Sequence, residues 1–343
     1  MRTSRTLAVY YEHPDWFRPL FAELDRRAVP FVALDATRHT YDPREIEIPY
    51  AAVLNRMSPS AWLRGHGHGI FYTLQFLNHL ENAGIRVING QKAFAIEISK
   101  ARQLSLLDSL LLPYPRARVI NSPSLAATAA EGLRYPIVIK ANIGGSGAGI
   151  VRFDSREQLI DAVENNQLDL GIDHTALVQE FIPPRGAHIT RVETLGGKYL
   201  YAIKVFTTGD TFNLCPADIC QTNNKVELAR DEVELPRAAC PAEAPRLGLR
   251  VEGYEPPPDV IRSVERIVGA AEIDVGGVEY IVDDRDGSLL YYDINALSNF
   301  VADAPHVIGF DPHVNLVDFL EQEVSRFADT VIEVERKELC AVN

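Results

Sequence analysis

The sequence predicts a mixed α/β and α+β protein, and three patterns support this fold class. In residues 1–95 short apolar strands alternate with amphipathic helices, which indicates a parallel sheet with helices on both faces. Between Tyr135 and Ser155 two β-branched strands flank a glycine-rich loop, and two further hairpins are predicted downstream. The chain of 343 residues is long enough for two or three domains with buried cores.

The first region is predicted to be a small Rossmann-like α/β domain over residues 1–95. Alternating strands and helices of these lengths are typical of such domains. The predicted elements, in chain order, are a strand at 6–11, a helix at 16–28, strands at 29–35 and 51–56, a helix in IFYTLQFLNHLENAG and a strand in IRVING.

Two helix boundaries are predicted in the next region. Leucines at helical spacing predict one helix over 95–111, which ends before Pro113. A capping box formed by Ser155 and Gln158 predicts that another helix begins directly after the glycine-rich strand pair.

Downstream, residues 221–258 are rich in proline and have no periodicity, so we predict a long surface loop there. The other predicted elements are strands at 175–182 and 198–206, a hairpin turn at Gly196-Gly197, a helix in VIRSVERIVGAA, a hairpin in VEYIVDDRDGSLLYYDIN and a tail helix in DPHVNLVDFLEQEVSRFA.

The charge distribution excludes two classes of partner. The formal net charge is -13 and no block of lysine or arginine is present, whereas nucleic acids and anionic membranes require a basic surface. We find no apolar stretch that could span a bilayer, and the apolar run at the N-terminus is too short for a signal peptide. The four cysteines have no zinc-site spacing. We therefore expect a cytoplasmic protein with free thiols.

The glycine-rich stretch YPIVIKANIGGSGAGIVRFDS has an unusual order of elements. Walker and Rossmann loops lead from a strand into a helix, but this loop leads from one strand into another. This order excludes both familiar nucleotide loops. It favours a flexible flap that closes over phosphate groups.

An acidic hairpin near the end of the chain suggests a metal site. Asp293 and Asn295 are two residues apart on a predicted strand, so their side chains leave the same face. The turn DDRDG would place Glu279 beside Asp293 on the neighbouring strand. Two carboxylates and an amide are hard oxygen donors that suit Mg²⁺. Because D-x-N is a weak motif, a surface strand with acidic side chains is the alternative.

Three lysines could meet an anion. Lys140 ends an apolar strand before the glycine loop, and Lys204 interrupts the apolar face of YLYAIKVF. An ammonium group on an apolar face is costly without an anionic partner. The alternative for each is a lysine that extends to solvent, and Lys100, on a helix, is the weakest candidate. Together with the flap and the acidic hairpin, these cations suggest a nucleoside triphosphate site.

Other candidates have simpler explanations. His66 and His68 could bind a metal, but a flexible loop over the cleft is favoured because two imidazoles rarely hold a metal alone. His13 and Asp15 follow the first strand, where ligands bind in α/β sheets, but a capped helix start explains them as well. Arg56 lies at a similar strand end and could recognise a carboxylate bidentately. No nucleophilic serine or cysteine is apparent.

Several blocks in family order identify a resemblance. They are SK at 99–100, YPIVIK…GGSGAG at 135–149, LVQEFI at 177–182, ITRVETLGGKYLYAIK at 189–204, GGVEY at 276–280 and YYDIN at 291–295. With these blocks the chain resembles the ATP-grasp superfamily, and within it the ribosomal-protein glutamate ligase (RimK-like) branch. The resemblance implies an ATP-grasp fold with a pre-ATP-grasp domain at 1–95, a small subdomain at 96–183 and a large subdomain at 184–343.

The resemblance also implies roles for individual residues. The phosphates would contact Lys100, Lys140 and the flap residues Gly144, Gly145, Ser146 and Gly147. The adenine would lie beside Gln179, Glu180, Phe181 and Ile182, with Glu180 accepting from its amino group. The γ-phosphate and the acyl substrate would face Arg191 and Lys204. The metal ligands would be Glu279, Asp293 and Asn295, which implies two Mg²⁺ ions, with Mn²⁺ as an alternative.

Three features depart from the family pattern. His188 stands where the branch usually has an acidic ribose contact, and we retain it as the candidate for that contact. Asp293 is shorter than the usual bridging glutamate. The 221–258 segment is longer than usual, so the substrates could differ from those of the branch.

The function implied is that of an ATP-dependent carboxylate–amine ligase that forms an amide or peptide bond through an acylphosphate. Its substrates would be small-molecule or peptide acids and amines, and a homo-oligomer is compatible with the resemblance. Two alternatives remain, namely a kinase-like phosphotransferase and a non-catalytic ATP-binding scaffold.

Overall fold

The computed structural model describes residues 6–45, 48–144, 149–206 and 250–341. The predictions for Gly145, Ser146 and Gly147 therefore lie outside the described residues. The same is true of the predicted loop up to residue 249 and of the thiols of Cys215, Cys220 and Cys240.

The N-terminal region contains a four-stranded parallel sheet in the order β2-β1-β3-β4, as predicted. The strands β1 and β3 are the two central strands of this sheet, and their central residues are buried. The elements are β1 (Thr6–Tyr11), α1 (Arg18–Arg26), β2 (Phe31–Asp35), β3 (Tyr50–Arg56), α2 (Gly67–Asn82) and β4 (Arg86–Ile88).

One helix predicted from leucine spacing is two helices in the structure. The α3 helix spans Gln91–Glu97 and the α4 helix spans Lys100–Ser109. Between them Ser99 is extended, and its hydroxyl accepts a hydrogen bond from the Arg102 N–H at 3.3 Å. This N-cap begins a new helix, so the prediction of one helix over 95–111 was wrong. The break makes Lys100 the first residue of α4.

The second sheet is antiparallel, with the order β5-β8-β6-β7. The glycine-rich stretch joins β6 to β7, so the predicted order of strand, loop and strand is confirmed. The short α5 helix and α6 cover one face, where they enclose an apolar core with Ile139 and Val178. The elements are β5 (Ala117–Ile120), α5 (Ala126–Ala129), β6 (Ile137–Ala141), β7 (Ile150–Phe153), α6 (Arg156–Glu164) and β8 (Ala176–Glu180).

The α6 helix begins at the predicted residue but with a different cap. The Ser155 hydroxyl accepts from the Gln158 N–H, as a capping box requires. The Gln158 side chain, however, accepts from the N–H of Asp154, one residue before the cap. The helix start is confirmed, while the reciprocal half of the box is shifted by one residue.

The third sheet has five antiparallel strands in the order β11-β10-β9-β12-β13. The β11 strand falls within the predicted 221–258 loop, so that prediction was wrong for residues 251–254. They form a strand because they pair with Ala202 through Val205 of β10. The strands are β9 (His188–Leu195), β10 (Lys198–Phe206), β11 (Val251–Tyr254), β12 (Val275–Val282) and β13 (Leu289–Asn295).

The two faces of the third sheet have different cover. The α7 helix (Pro258–Ala271) buries an apolar stripe at helical spacing against one face, together with α4. The other face shares an apolar core with the N-terminal sheet, α1, the short α8 helix (Ala304–Val307) and α9 (Pro312–Ala341). We propose that the three sheets correspond to the divisions 1–95, 96–183 and 184–343.

The described part of the chain contains no helix long and apolar enough to cross a membrane. This finding concerns helices only.

Two glycines provide a matched test of the packing. A Cβ at Gly269, in α7, would meet no heavy atom within 4 Å, whereas a Cβ at Gly276 would lie 2.3 Å from the Asn295 carbonyl oxygen. We expect Gly269→Ala to raise the free energy of unfolding by roughly 0.5–1 kcal/mol, because alanine stabilises helices. Gly276→Ala should lower it by about 1–3 kcal/mol through overpacking. Urea unfolding measures both, and equal stability of the two variants would contradict the described approach of β12 to β13.

Candidate functional site

Three charged residues lie side by side on one face of the third sheet. Glu279 on β12 pairs with Arg191 on β9 and with Asp293 on β13. Residues that pair directly across antiparallel strands point to the same face. The predicted register of the acidic hairpin is therefore confirmed, and we call this surface the acidic face.

Glu279 is held by two donors. Its carboxylate accepts from Arg191 Nη1 at 3.2 Å and from the Tyr292 hydroxyl at 2.7 Å. Burial raises the pKa of Glu279, and the nearby Asp293 carboxylate reinforces this rise. The contacts with Arg191 and Tyr292 oppose it. The carboxylate is thus positioned rigidly, next to a second carboxylate that repels it.

The second carboxylate is neutralised by Lys100. The Lys100 Nζ donates to Asp293 Oδ1 at 2.6 Å, and the two side chains are only 16% and 22% exposed. Burial disfavours the ammonium, but Asp293, together with the charges of Glu279 and Glu97, more than compensates, so the pKa of Lys100 is raised. Because Lys100 begins α4, the break at Ser99 is what brings this ammonium to the end of β13.

Lys140 approaches from the second sheet and has no compensating contact. Its side chain is 5% exposed and has no hydrogen-bond or ion-pair partner among the described residues. Burial, assisted by the positive charge of Lys100, lowers the pKa of Lys140 to about 7, although Asp293 and Glu279 oppose this. A buried ammonium without a partner is costly, so the site is suited to an additional anion.

Asn142 connects the elements that carry the two lysines. Its Oδ1 accepts from the Ser99 hydroxyl at 3.1 Å and from the Ala101 N–H at 2.9 Å. Its backbone carbonyl accepts from the Lys100 N–H at 3.3 Å. The end of β6 is thereby fixed to the beginning of α4, which sets the position of Lys100 relative to Lys140. The only feature of the sequence that could have indicated this role is that Asn142 follows Lys140 by two residues.

The residues predicted to contact the base divide between the two faces of β8. Gln179 pairs with Val138, so it shares a face with Lys140, and its buried Oε1 has no partner among the described residues. The Glu180 carboxylate lies on the other face, where it accepts from the Arg134 N–H at 3.0 Å. This contact makes the carboxylate a poor acceptor for a base, so a contact from Glu180 would have to come from its backbone.

The two following residues lie at the end of β8. The Phe181 N–H donates to the Pro136 carbonyl at 2.9 Å, and its ring lies 4.6 Å from the Arg152 guanidinium. Ile182 is buried in the core that the third sheet shares with the N-terminal sheet. Gly144 is buried just after β6, and the remaining flap residues are outside the described ranges.

Lys204 is not on the acidic face, and this position does not support the predicted role beside Arg191. Arg191 pairs with Ile203, so Lys204 points to the opposite face, where its ammonium lies 4.4 Å from the centre of the Tyr254 ring. The cause is an irregularity between Tyr199 and Tyr201. In a regular hairpin Arg191 would pair with the residue before Ile203, whose side chain is on the same face of β10 as that of Lys204. The irregularity shifts the pairing by one residue and so places Lys204 on the opposite face.

His188 is also on the face opposite Arg191. It pairs with Phe206, and their ring centres are 5.3 Å apart. Its Nδ1 is 3.2 Å from the Gly186 carbonyl oxygen. This position does not support the predicted ribose contact.

Two acidic residues that sequence analysis missed complete the site. Glu193 shares the face of Arg191, two residues away on β9, and accepts from its Nε at 2.6 Å. Glu97 is buried and accepts from the N–H groups of Ala296 and Leu297, directly after β13. Burial raises the pKa of Glu97 to about 7. Strand periodicity could have identified Glu193, whereas nothing local to α3 indicated the contact of Glu97.

The acidic face fits a hard divalent cation. Glu279, Asp293 and Asn295 supply oxygen donors from one surface, and Asn295 Nδ2 is buried without a partner. Within the described ranges no group of three histidine, cysteine, aspartate or glutamate residues could hold a metal ion. At the acidic face the third candidate donor is the amide of Asn295. Mg²⁺ usually takes few protein ligands and completes its shell with water and phosphate oxygens.

The histidine-rich stretch is largely helical, so the prediction of a loop was wrong. A 3₁₀ turn at Pro59–Arg64 leads into α2, and His66 is the residue before the helix. Its Nδ1 contacts the Glu12 carboxylate, which also pairs with Arg64. Both side chains are thereby directed to Glu12.

Comparison with known proteins gives relatives at low sequence identity. No family model matches the sequence. A probable alpha-L-glutamate ligase of Legionella pneumophila (strain Corby) is 28% identical over 233 residues, which cover 62% of this chain and 72% of that protein. A probable alpha-L-glutamate ligase of Teredinibacter turnerae is 29% identical over 163 residues, covering 46% of this chain and 50% of that protein.

Solved structures match almost the whole chain. The ATP-grasp ligase PsnB, complexed with a phosphomimetic variant of its minimal precursor, Mg and ADP, has a TM-score of 0.65 at 18% identity and covers 94% of this chain and 100% of its own. The D-alanine–D-alanine ligase of Bacillus anthracis has a TM-score of 0.63 at 16% identity, covering 95% of this chain and 99% of its own. The chain therefore has the ATP-grasp fold, and its sequence is similar to the probable alpha-L-glutamate ligases.

Proposed function

We propose that the protein is an ATP-dependent ligase that joins a carboxylate to an amine through an acylphosphate. The observation that carries this proposal is the position of Lys140. A buried ammonium without a partner among the described residues faces Glu279 and Asp293, which are hard oxygen donors. This arrangement provides what a triphosphate with its metal ion needs, and the relatives and structural neighbours named above are ligases.

The proposed roles are those that the resemblance to ATP-grasp enzymes implies. Lys100 and Lys140 would bind the phosphates of ATP, and the glycine-rich stretch that begins at Gly144 would act as the flap. The base lies beside Gln179 and the backbone of Glu180, Phe181 and Ile182.

Glu279, Asp293 and Asn295 would hold Mg²⁺, and we propose two ions, with Mn²⁺ as an alternative. When bound, Mg²⁺ neutralises charge on the phosphate oxygens. Asp293, as a ligand of this ion, would share or release the ammonium of Lys100, which could then turn to a phosphate.

In the first reaction step an oxygen of the substrate carboxylate attacks the γ-phosphorus, the bond to the β–γ bridging oxygen breaks, and ADP leaves. In the second step the amine attacks the acyl carbon, phosphate leaves, and loss of a proton gives the amide. Arg191 lies beside Glu279 and supplies positive charge where negative charge develops on the transferred phosphoryl group. The remaining contribution of the protein is to position the reactants.

Several features of the substrates and the assembly also remain proposals. One structural neighbour was solved with a precursor peptide and another is a D-alanine–D-alanine ligase. We propose that the acid and the amine are small molecules or peptides rather than nucleic acids. Assembly into a homo-oligomer and a cytoplasmic location are predictions from sequence.

A panel of carboxylates and amines, assayed for ADP release and for the product mass, tests the proposed reaction. A ligase releases ADP only with both substrates and gives an amide. ADP release without an amine, together with a stable phosphorylated acid, would instead indicate a phosphotransferase. ATP binding without ADP release over the whole panel would indicate a scaffold.

Lys140→Ala and Asp293→Ala should each reduce kcat by roughly 10²- to 10³-fold or more, because the first removes a positive charge directed at the phosphates and the second removes a proposed ligand of the metal ion. The matched control is Lys198→Ala, since Lys198 is exposed and its contact with Glu265 is on the surface. ADP release measures all three variants, and circular dichroism checks that they are folded. Wild-type rates in either site variant would refute the assignment.

Arg191→Met and Lys204→Met compare cations on opposite faces of the same sheet. Arg191→Met should lower kcat by roughly 10²-fold or more, since the guanidinium lies on the acidic face. Lys204→Met should leave kcat within about threefold of wild type, because its ammonium lies on the face opposite Arg191 and a single cation–π contact contributes little to the fold. Steady-state kinetics with saturating ATP distinguish the two, and equal losses would restore Lys204 to the site.

ATP binding should take up protons in alkaline buffer. The pKa of Lys140 is lowered to about 7 from its ordinary value of 10.5, so without ATP this lysine is mostly neutral at about pH 8.5. Phosphate contact favours the ammonium, so its pKa rises and Lys140 gains a proton on binding. Calorimetry in buffers of different ionisation enthalpy should measure close to one proton taken up, and Lys140→Met should remove this uptake. Identical uptake in both proteins would contradict the prediction.

A further inference from the structure

Arg56 is a second buried cation near the acidic face. It is the last residue of β3, at the carboxyl end of a parallel sheet, where α/β folds commonly bind ligands. Its side chain is 3% exposed, and its guanidinium carbon lies 5.1 Å from the centre of the Phe17 ring. Nη2 donates to the Ser298 carbonyl, whereas Nε and Nη1 are buried without a hydrogen-bond partner among the described residues.

Each bidentate edge of a guanidinium combines one N–H of Nη2 with an N–H of Nε or of Nη1. Because the Ser298 carbonyl occupies only one N–H of Nη2, the edge that carries its other N–H keeps both donors, and it matches the two oxygens of a carboxylate. Within the described residues Arg56 forms no ion pair, although the charges of Glu193 and Glu97 act on it from a distance. A buried charge without a direct partner is destabilising, so this edge is suited to a ligand that is not part of the protein.

Ser298 connects this edge to the proposed site of reaction. Its carbonyl accepts from Arg56, and its hydroxyl lies 3.4 Å from Arg191 Nη2. Ser298 is fully buried and follows the proposed metal ligand Asn295 by three residues. Two guanidinium groups therefore meet at one residue, so an anion on Arg56 would lie next to the substrates held near Arg191.

Aromatic side chains form a wall beside Arg56. Trp16 and Phe17 are buried together and contact Leu297. The His13 ring stacks on Trp16 with ring centres 4.9 Å apart, and Trp16 Nε1 and His13 Nδ1 are also buried without partners in the described part of the chain. Polar atoms without partners therefore occur both at Arg56, the end of β3, and in the segment after β1 whose Phe17 packs against Arg56.

We propose that Arg56 binds a carboxylate that does not react, so that one of the two substrates is an amino acid or a dicarboxylic acid. This inference rests on the proposed ligase function. A carboxylate is favoured over a phosphate, because only one guanidinium edge is free and Glu193 and Glu97 already add negative charge nearby. Whether the carboxylate belongs to the acid or to the amine substrate is decided by the experiment.

The test compares substrates with and without the second carboxylate. The experiment uses the acid and the amine that the panel identifies as substrates. Each of their carboxylates that does not become part of the new amide bond is replaced in turn by a primary amide, and kcat/KM is measured. We expect the wild type to lose roughly 10- to 100-fold with one of these amides, which is the usual loss for a hydrogen bond to a charged group. The substrate whose amide is affected carries the recognised carboxylate.

Arg56→Gln should give a loss of the same size with the natural substrate and little further loss with the amide. Arg56→Lys keeps the charge without the planar pair of donors and should lie between the two. The control is Arg38→Gln, which is the same substitution at an exposed arginine. If the wild type accepts every amide as well as its acid, the proposal is wrong. It is also wrong if Arg56→Gln lowers kcat/KM equally for acid and amide.

A binding measurement separates this proposal from the ligase function. Thermal shift is recorded with L-glutamate, succinate and their amides in the presence of a non-hydrolysable ATP analogue. Stabilisation by the acids and not by the amides, lost in Arg56→Gln, supports the carboxylate site even if no amide product is found. Absence of any acid-specific shift, with ligation intact, would overturn the carboxylate site and leave the proposed function standing.

Discussion

The balance of buried charge on the acidic face is the constraint on which the site depends. Glu279 and Asp293 are paired across β12 and β13 and would repel each other without compensation. Arg191 and Lys100 provide that compensation from a neighbouring strand and from a helix start. Each of these cations reaches its carboxylate because of backbone geometry, namely strand register for Arg191 and the break at Ser99 for Lys100.

The cations in the cleft can be ordered by how fully they are compensated. Lys100 has a close carboxylate partner, and Arg191 is shared between Glu193 and Glu279. Lys140 and Arg56 have no ion-pair partner in the described ranges. The compensated pair organises the acidic face, while the other two supply charge for groups brought by substrates. This division explains how a site can be stable when empty and still attract anions.

Sequence alone predicted the parallel N-terminal sheet, the strand pair around the glycine loop and the acidic hairpin, because each follows from local periodicity and turn residues. The sequence-based prediction failed where a single residue determines a helix boundary or a strand register. Ser99 divides one leucine-rich segment into two helices, and the irregularity after Tyr199 moves Lys204 to the other face of its sheet. Contacts between distant segments, such as Glu97 with the turn after β13, leave no trace in a local pattern.

The distribution of apolar cores has a consequence for how substrates enter. The N-terminal and third sheets bury side chains in one common core, whereas the core between the second sheet and its helices contains only residues 120–178. Separating the first two would expose a large apolar area, but tilting the second sheet would leave its own core intact. We therefore expect the entrance to widen by a tilt of the second sheet about the hydrogen bonds from Asn142 to Ser99 and Ala101, so that the parts of this sheet far from Lys140 move most.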